Sequence, residues 1–147
     1  MEAKGLRFDQ WEADKQYKTA ARTITEADIV SFAGLSGDFN PLHTDEAYAQ
    51  KTVHKTRIAH GALTFAVTTG LINQSGITDG TVIGFAGVSV KWSAPVKSGD
   101  TIQATATLKE KRLSKRGDKG IVTFLVAVQN QNDIVVSEQE WTVIVVV

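Results

Sequence analysis

Thr101-Ile102-Gln103-Ala104-Thr105-Ala106-Thr107-Leu108-Lys109 alternates with a period of two. Ile102, Ala104, Ala106 and Leu108 fall on one side, and Thr101, Gln103, Thr105 and Thr107 on the other. That period is the pleat of a half-buried β-strand. Val82–Ser93, Ile121–Gln129 and Ile134–Val146 match it in length and are rich in Val, Ile and Thr, the residues that suit a pleated surface. Turn chemistry separates them at Pro95–Asp100, Ser114–Gly120 and Asn130–Asp133. Connections so short predict antiparallel neighbours, since a parallel crossover takes about a dozen residues or more. The C-terminal half therefore reads as a four-stranded antiparallel meander.

Before it lies the helix this sheet has to cover. From Gly61, the residues Leu63, Ala66, Val67, Gly70 and Leu71 recur at i, i+3, i+4, i+7 and i+8, the spacing of a core-facing helical stripe. Ala62, Ala66 and Gly70 are small and four apart, so another layer can approach closely, and Asn73–Gly80 ends the helix. Further back, Thr25-Glu26-Ala27-Asp28 has the hydroxyl and carboxylate of a capping box. The helix it opens runs through Ile29, Val30, Phe32 and Ala33 to Gly34. Asp45–Gln50 reads as a short helical turn. Between the two, Gly37, Asn40 and Pro41 enforce a loop, because a residue before proline is pushed away from helical geometry. One apolar helix and an antiparallel sheet to wrap it make an α+β fold.

The bulk numbers fit that architecture. A chain of 147 residues is expected to form one domain, 1–147, and to bury roughly 68–70% of its unfolded surface. Formal net charge is zero, so no broad field favours nucleic acid or an anionic membrane. No cysteine is present; this excludes disulfides, thiol nucleophiles and cysteine–zinc sites, and suits a reducing compartment. Met1–Lys18 lacks the apolar region of a signal peptide, and no run approaches the ~20 apolar residues of a membrane span. The expectation is a cytoplasmic protein with neither nucleic-acid nor membrane partners.

The chemistry concentrates in Ser36-Gly37-Asp38-Phe39-Asn40-Pro41-Leu42-His43 and Ala59-His60-Gly61-Ala62. All three histidines, His43, His54 and His60, lie within 18 residues, and imidazole is the side chain that titrates nearest neutrality. Asp38 on the same loop as His43 can accept its N–H or share an attacking water. The plainer alternative has Asp38 and Asn40 making Asx turns beside a surface His43. Gly61 begins the long helix, where free backbone N–H groups and the helix dipole favour developing negative charge. Its N–H is a candidate oxyanion donor, unless Gly61 only makes a tight turn and His60 a hydrogen-bonded cap. His54, among Lys51, Lys55 and Arg57, suits surface or ligand-phosphate contact. Asp38, His43, Asp45, His54 and His60 include ligand types for zinc or iron, but no compact pair such as H-x-x-x-H occurs, and the reading assigns no metal. A serine-hydrolase site lacks its G-x-S-x-G motif.

Gly37-Asp38-Phe39-Asn40-Pro41-Leu42-His43 followed by Ile58-Ala59-His60-Gly61 resembles the MaoC-like, or (R)-specific enoyl-CoA hydratase, family. Arg22-Thr23-Ile24-Thr25, Pro95-Val96 and Gly99-Asp100-Thr101 agree with it, and the likeness runs from about Tyr17 to the C-terminus. The resemblance implies a hotdog fold, in which a long antiparallel sheet wraps a central helix. It implies an acyl-CoA substrate bound at the interface of a homodimer or higher homo-oligomer, and no cofactor. Asp38 and His43 take the places of the family's catalytic pair. Gly61 takes that of the backbone amide at the helix start, and Asn40 that of an asparagine that supports the loop and helps to bind the substrate. His60 joins them as a substrate-binding candidate. Ala66 stands where some relatives carry a serine. Three activities follow as expectations: hydration of trans-2-enoyl-CoA or its reversal, a hotdog thioesterase, and a non-catalytic acyl-CoA-binding module. The thioesterase is disfavoured because Gly61–Asn73 contains no Asp or Glu.

Overall fold

The computed structural model describes residues 4–147, so the reading of Met1–Ala3 lies outside the described residues. Five strands form one antiparallel sheet: β1 (Gln16–Thr23), β2 (Val82–Trp92), β3 (Thr101–Leu113), β4 (Gly120–Gln129) and β5 (Val135–Val145). Their order is β1-β3-β4-β5-β2. Helices α1 (Glu26–Ser36), α2 (Pro41–Thr44), α3 (Glu46–Ala49) and α4 (Gly61–Gln74) lie between β1 and β2 in the chain. The sheet and central helix make the expected hotdog arrangement, an α+β fold. Among the described residues no helix is long and apolar enough to cross a membrane.

Two expectations about the sheet need correction. The meander holds for β3-β4-β5, but β2 pairs with β5 and not with β3. Eight residues, 93–100, join β2 to β3; extended, they reach about 26 Å, more than the roughly 14 Å of three strand spacings. A short connection can therefore step across two strands at the end of a sheet. Along the way it is pinned by Ser93 N–H on the Val136 carbonyl and Ala59 N–H on that of Val96. The second correction is β1, which adds a fifth strand. Its sequence, Gln-Tyr-Lys-Thr-Ala-Ala-Arg-Thr, is exposed at most positions and shifts register between Lys18 and Ala21. An edge strand with charged residues and an irregularity does not advertise a period of two.

The core lies between α4 and the concave face of the sheet. Ile102, Ala104 and Ala106 of β3, Val122, Phe124, Val126 and Val128 of β4, and Trp141, Val143 and Val145 of β5 are buried. Phe124 stacks on Trp11 at 5.1 Å between ring centroids and packs against Trp141 at 5.5 Å. On α4 the buried face is Leu63, Thr64, Val67, Thr68, Leu71 and Ile72. Ala66 and Gly70, expected on the core stripe, are exposed. The threonines take their places inside by turning their hydroxyls back into the helix: Thr68 Oγ1 donates to the Thr64 carbonyl at 2.8 Å, and Thr64 Oγ1 to that of His60 at 3.4 Å.

Candidate active site

The site is built where α1 stops. Thr25 caps α1 and forms the expected capping box with Asp28. The helix continues two residues past Gly34, ending when Gly37 adopts φ 77° and gives its N–H to the Ala33 carbonyl at 2.8 Å. Only glycine enters that left-handed region without steric cost. Asp38 follows immediately. Its Oδ1 accepts the Asn40 N–H at 3.2 Å, and Asn40 Oδ1 accepts that of Leu42 at 3.0 Å. Asn40 thus N-caps α2 with Pro41 in the first turn. The segment read as a loop contains this one-turn helix, which carries His43.

The aspartate and histidine meet through these local bonds. With Oδ1 engaged, Asp38 presents Oδ2 to His43 Nε2 at 4.0 Å. On the opposite edge of the ring, His43 Nδ1 lies 2.7 Å from the Ile58 carbonyl. A carbonyl only accepts, so in the neutral ring Nδ1 carries the proton and Nε2 keeps its lone pair. Orientation of His43 therefore comes from Ile58 and not from Asp38. The 4.0 Å gap is too long for a direct hydrogen bond, yet a water at about 2.8 Å from both atoms fits it. Asp38 is about half exposed and His43 mostly buried.

His60 lies under this pair. It is 3% exposed, and its ring stacks on His43 with centroids 3.8 Å apart and planes 27° from parallel. Its Nε2 donates to the Asp38 carbonyl at 2.9 Å. His60 is the N-cap residue of α4 and its carbonyl accepts the Thr64 N–H at 3.1 Å, but its side chain makes no cap bond and turns to Asp38 instead. Asp38, His43 and His60 offer ligand atoms within 4.8 Å of one another. The stacked rings, however, keep their in-plane lone pairs in two nearly parallel planes about 3.8 Å apart, a poor arrangement for both imidazoles to reach one tetrahedral ion. Asp45 and His54 lie apart from it. Asp45 caps α3 through the Tyr48 N–H, while His54 lines a separate cavity.

That cavity, about 540 Å³, adjoins the start of α4 and is walled by Ile58, Gly61, Ala62, Trp92 and Val96. Gly61 is the first residue of α4, so its N–H has no acceptor within the helix. The reason for glycine here is a contact invisible in the motif. A Cβ at Gly61 would come within 2.7 Å of the Trp92 indole, whose Nε1 donates to the Gly61 carbonyl at 3.1 Å. Sequence reasoning missed Trp92 and Ile58. Trp92 lies 31 residues beyond Gly61 in the chain, and Ile58 acts through its carbonyl, which every residue has.

The segment bearing Ile58 is anchored by Arg57. Its guanidinium binds both Glu26 oxygens at 2.6 and 2.9 Å, and its Nε donates to Glu46 at 3.1 Å. The hydrogen bonds to Glu26 are the main reason that the Arg57 guanidinium is held above its ordinary range. Glu46 also accepts the Arg57 backbone N–H and the Thr56 hydroxyl. The backbone bond comes first among the causes that keep its carboxyl below the ordinary range. A bidentate guanidinium–carboxylate pair fixes geometry as well as charge, and here it ties α1 and α3 to the strand of chain entering α4.

Residues 8–130 match the MaoC like domain. The chain belongs to the MaoC-like family. Over 110 residues it is 43% identical to an (R)-specific enoyl-CoA hydratase of Rhodospirillum rubrum, covering 74% of this chain and 75% of that one. An (R)-specific enoyl-CoA hydratase of Aeromonas caviae is 34% identical over 105 residues, 71% of this chain and 74% of the relative. The crystal structure of a MaoC-like dehydratase from Rhodospirillum rubrum superposes with a TM-score of 0.87 at 28% identity, covering 97% of both chains. This MaoC-like chain is an enzyme of the hydratase/dehydratase class.

Proposed function

We propose that the protein adds water to trans-2-enoyl-CoA thioesters to give (R)-3-hydroxyacyl-CoA, or runs the reverse dehydration. The observation that carries this reading is the 4.0 Å gap between Asp38 Oδ2 and His43 Nε2, with the imidazole lone pair turned into it by Ile58. One water bridges the two groups. As its oxygen bonds to C3, a proton passes to the pair, and the π electrons of C2=C3 move toward the thioester carbonyl. Gly61 N–H takes the negative charge gathering on that oxygen. A proton returned from the pair to C2 completes the addition, so the sum is one water and no redox change. General acid–base catalysis typically contributes 10²–10⁴-fold and one oxyanion donor about 10²–10³. Both are needed for a useful rate.

The acyl-CoA substrate is supported by the names of the hydratase relatives. A homodimer joined along the Ile83–Val88 part of β2 is supported by that strand's open edge, where Ile83, Phe85 and Val88 are about half exposed. The absence of cysteine suits work in the cytoplasm. The test follows absorbance of the enoyl-thioester band with crotonyl-CoA and longer trans-2-enoyl-CoAs. Wild type removes the band without releasing free thiol, and Asp38→Asn and His43→Gln fall to near background. Release of CoA, or full activity in either variant, defeats the proposal.

A further inference from the structure

We infer that His60 is a positioning residue, a clamp that holds both halves of the Asp38–His43 pair at their working separation. This rests on the hydration reading above. At 3% exposure, His60 has no surface to offer a substrate, so any influence on the reaction passes through its neighbours. Both members of the pair are among them. The Nε2–H holds the Asp38 main-chain carbonyl, which sets where that carboxylate starts, and the face of the ring backs His43 at 3.8 Å. Phe32 packs against the same imidazole at 5.0 Å and limits its tilt.

The other nitrogen shows that packing alone is not the reason for a histidine. With the proton on Nε2, Nδ1 bears a lone pair, and among the described residues it has no hydrogen-bond partner. A buried polar atom left unsatisfied is unfavourable. A leucine of similar size would fill the space without that atom. What leucine lacks is the Nε2–H reaching Asp38. The orphaned nitrogen is the accompaniment of keeping that donor.

Position in the chain adds to the clamp. Ile58, two residues earlier, orients His43, and Gly61, one residue later, opens α4. Arg57 fastens the same stretch to α1 and α3. Four consecutive roles (anchor, orienting carbonyl, clamp, amide) therefore fall within five residues, and movement of His60 displaces the pair relative to the amide.

The experiment compares His60→Leu with His60→Gln, whose terminal amide can still reach the Asp38 carbonyl. With crotonyl-CoA, His60→Leu is expected to lower kcat about 100-fold or more, the scale of a 1 Å misplacement, with KM changed less than about threefold. Its melting temperature stays near that of wild type. His60→Gln recovers kcat to within about tenfold of wild type. Unchanged kcat in His60→Leu overturns the clamp, as does a rise in KM that accounts for the loss. If His60→Leu does not fold, His60→Gln decides: activity at background overturns it. Ring ¹⁵N shifts of the substrate-free wild type test the geometry without turnover. They are expected to show neutral His60 protonated on Nε2 and His43 on Nδ1. These tautomers in a protein that hydrates no enoyl-CoA defeat the reaction assignment and leave the clamp geometry standing; a His60 protonated on Nδ1 defeats the clamp whatever the turnover.

Discussion

Strand β4 and the stretch from Gly37 to Gly61 are held in place by different physics. β4 is hydrogen-bonded on both sides, to β3 and β5, and inserts Val122, Phe124, Val126 and Val128 into the core. Its geometry is insured by apolar burial. The other stretch buries little apolar surface, and its bends are set by single hydrogen bonds: Asp38 to Asn40, Asn40 to Leu42, His43 to Ile58, His60 to Asp38. The groups proposed to act on the substrate need an open face and a fixed angle, which burial cannot supply to a half-exposed carboxylate. Stability and chemistry are therefore written on separate parts of the chain.

Substitutions that act on one side of that division only are the sharpest test of it. His43→Gln and Asp38→Asn should lower kcat by about 10²–10⁴, with melting curves close to wild type. Phe124→Ala should do the reverse. Loss of a buried aromatic typically costs about 3–5 kcal/mol, read as a lower denaturation midpoint, while KM of the remaining folded enzyme is kept. A Phe124→Ala protein with normal stability breaks the comparison. Gly61→Ala tests the border between the regions. Its methyl meets Trp92, and overpacking of this kind costs about 1–3 kcal/mol; adding Trp92→Ala should recover much of that stability in a double-mutant cycle. Thr25→Ala, removing the α1 cap, should cost about 1 kcal/mol in thermal unfolding.

The smallest expected effect is one of pH. The Asp28 carboxyl is held below its ordinary 3.8, chiefly by the Thr25 backbone N–H, with Arg22 adding to it. A depressed folded-state value means that the folded protein binds this proton less readily than the unfolded chain. The contribution is complete above the ordinary value and disappears as pH falls through the lower folded one. Acid titration of stability in Asp28→Asn should be flatter than wild type below about pH 4. Parallel acid curves would remove Asp28 from the account.

Much of the fold was legible because β3 and β4 advertise it. Ile102, Ala104 and Ala106 alternate since one face of that strand is wet and the other is core. What stayed hidden has no local signature. β1 carries no such alternation, and its one buried residue, Thr19, is held by polar bonds, accepting from the Ala104 N–H and donating to the Ala20 carbonyl. The pairing of β2 with β5 depends on how eight residues cross the end of the sheet, which turn composition does not encode. Exposure of Ala66 follows from threonines whose hydroxyls are satisfied inside their own helix. At the site, Asp38 and His43 stood out by residue type and spacing, and the structure brings them together. Their support did not stand out, since Ile58 contributes a main-chain oxygen and Trp92 comes from a distant strand.

The indole at Gly61 has an optical consequence. Of the three tryptophans in the chain, Trp11 and Trp141 are sealed in the core at 1% and 3% exposure, and Trp92 stands at 53%. An aqueous quencher such as iodide can collide with Trp92 and is kept from the other two. Emission from the unlabelled protein thus divides into a shielded background and one accessible fluorophore, hydrogen-bonded to the first residue of the central helix. A molecule in the cavity that covers the Trp92 indole beside Gly61 will register as lost quenching, so its occupancy can be followed in real time without a chromogenic substrate.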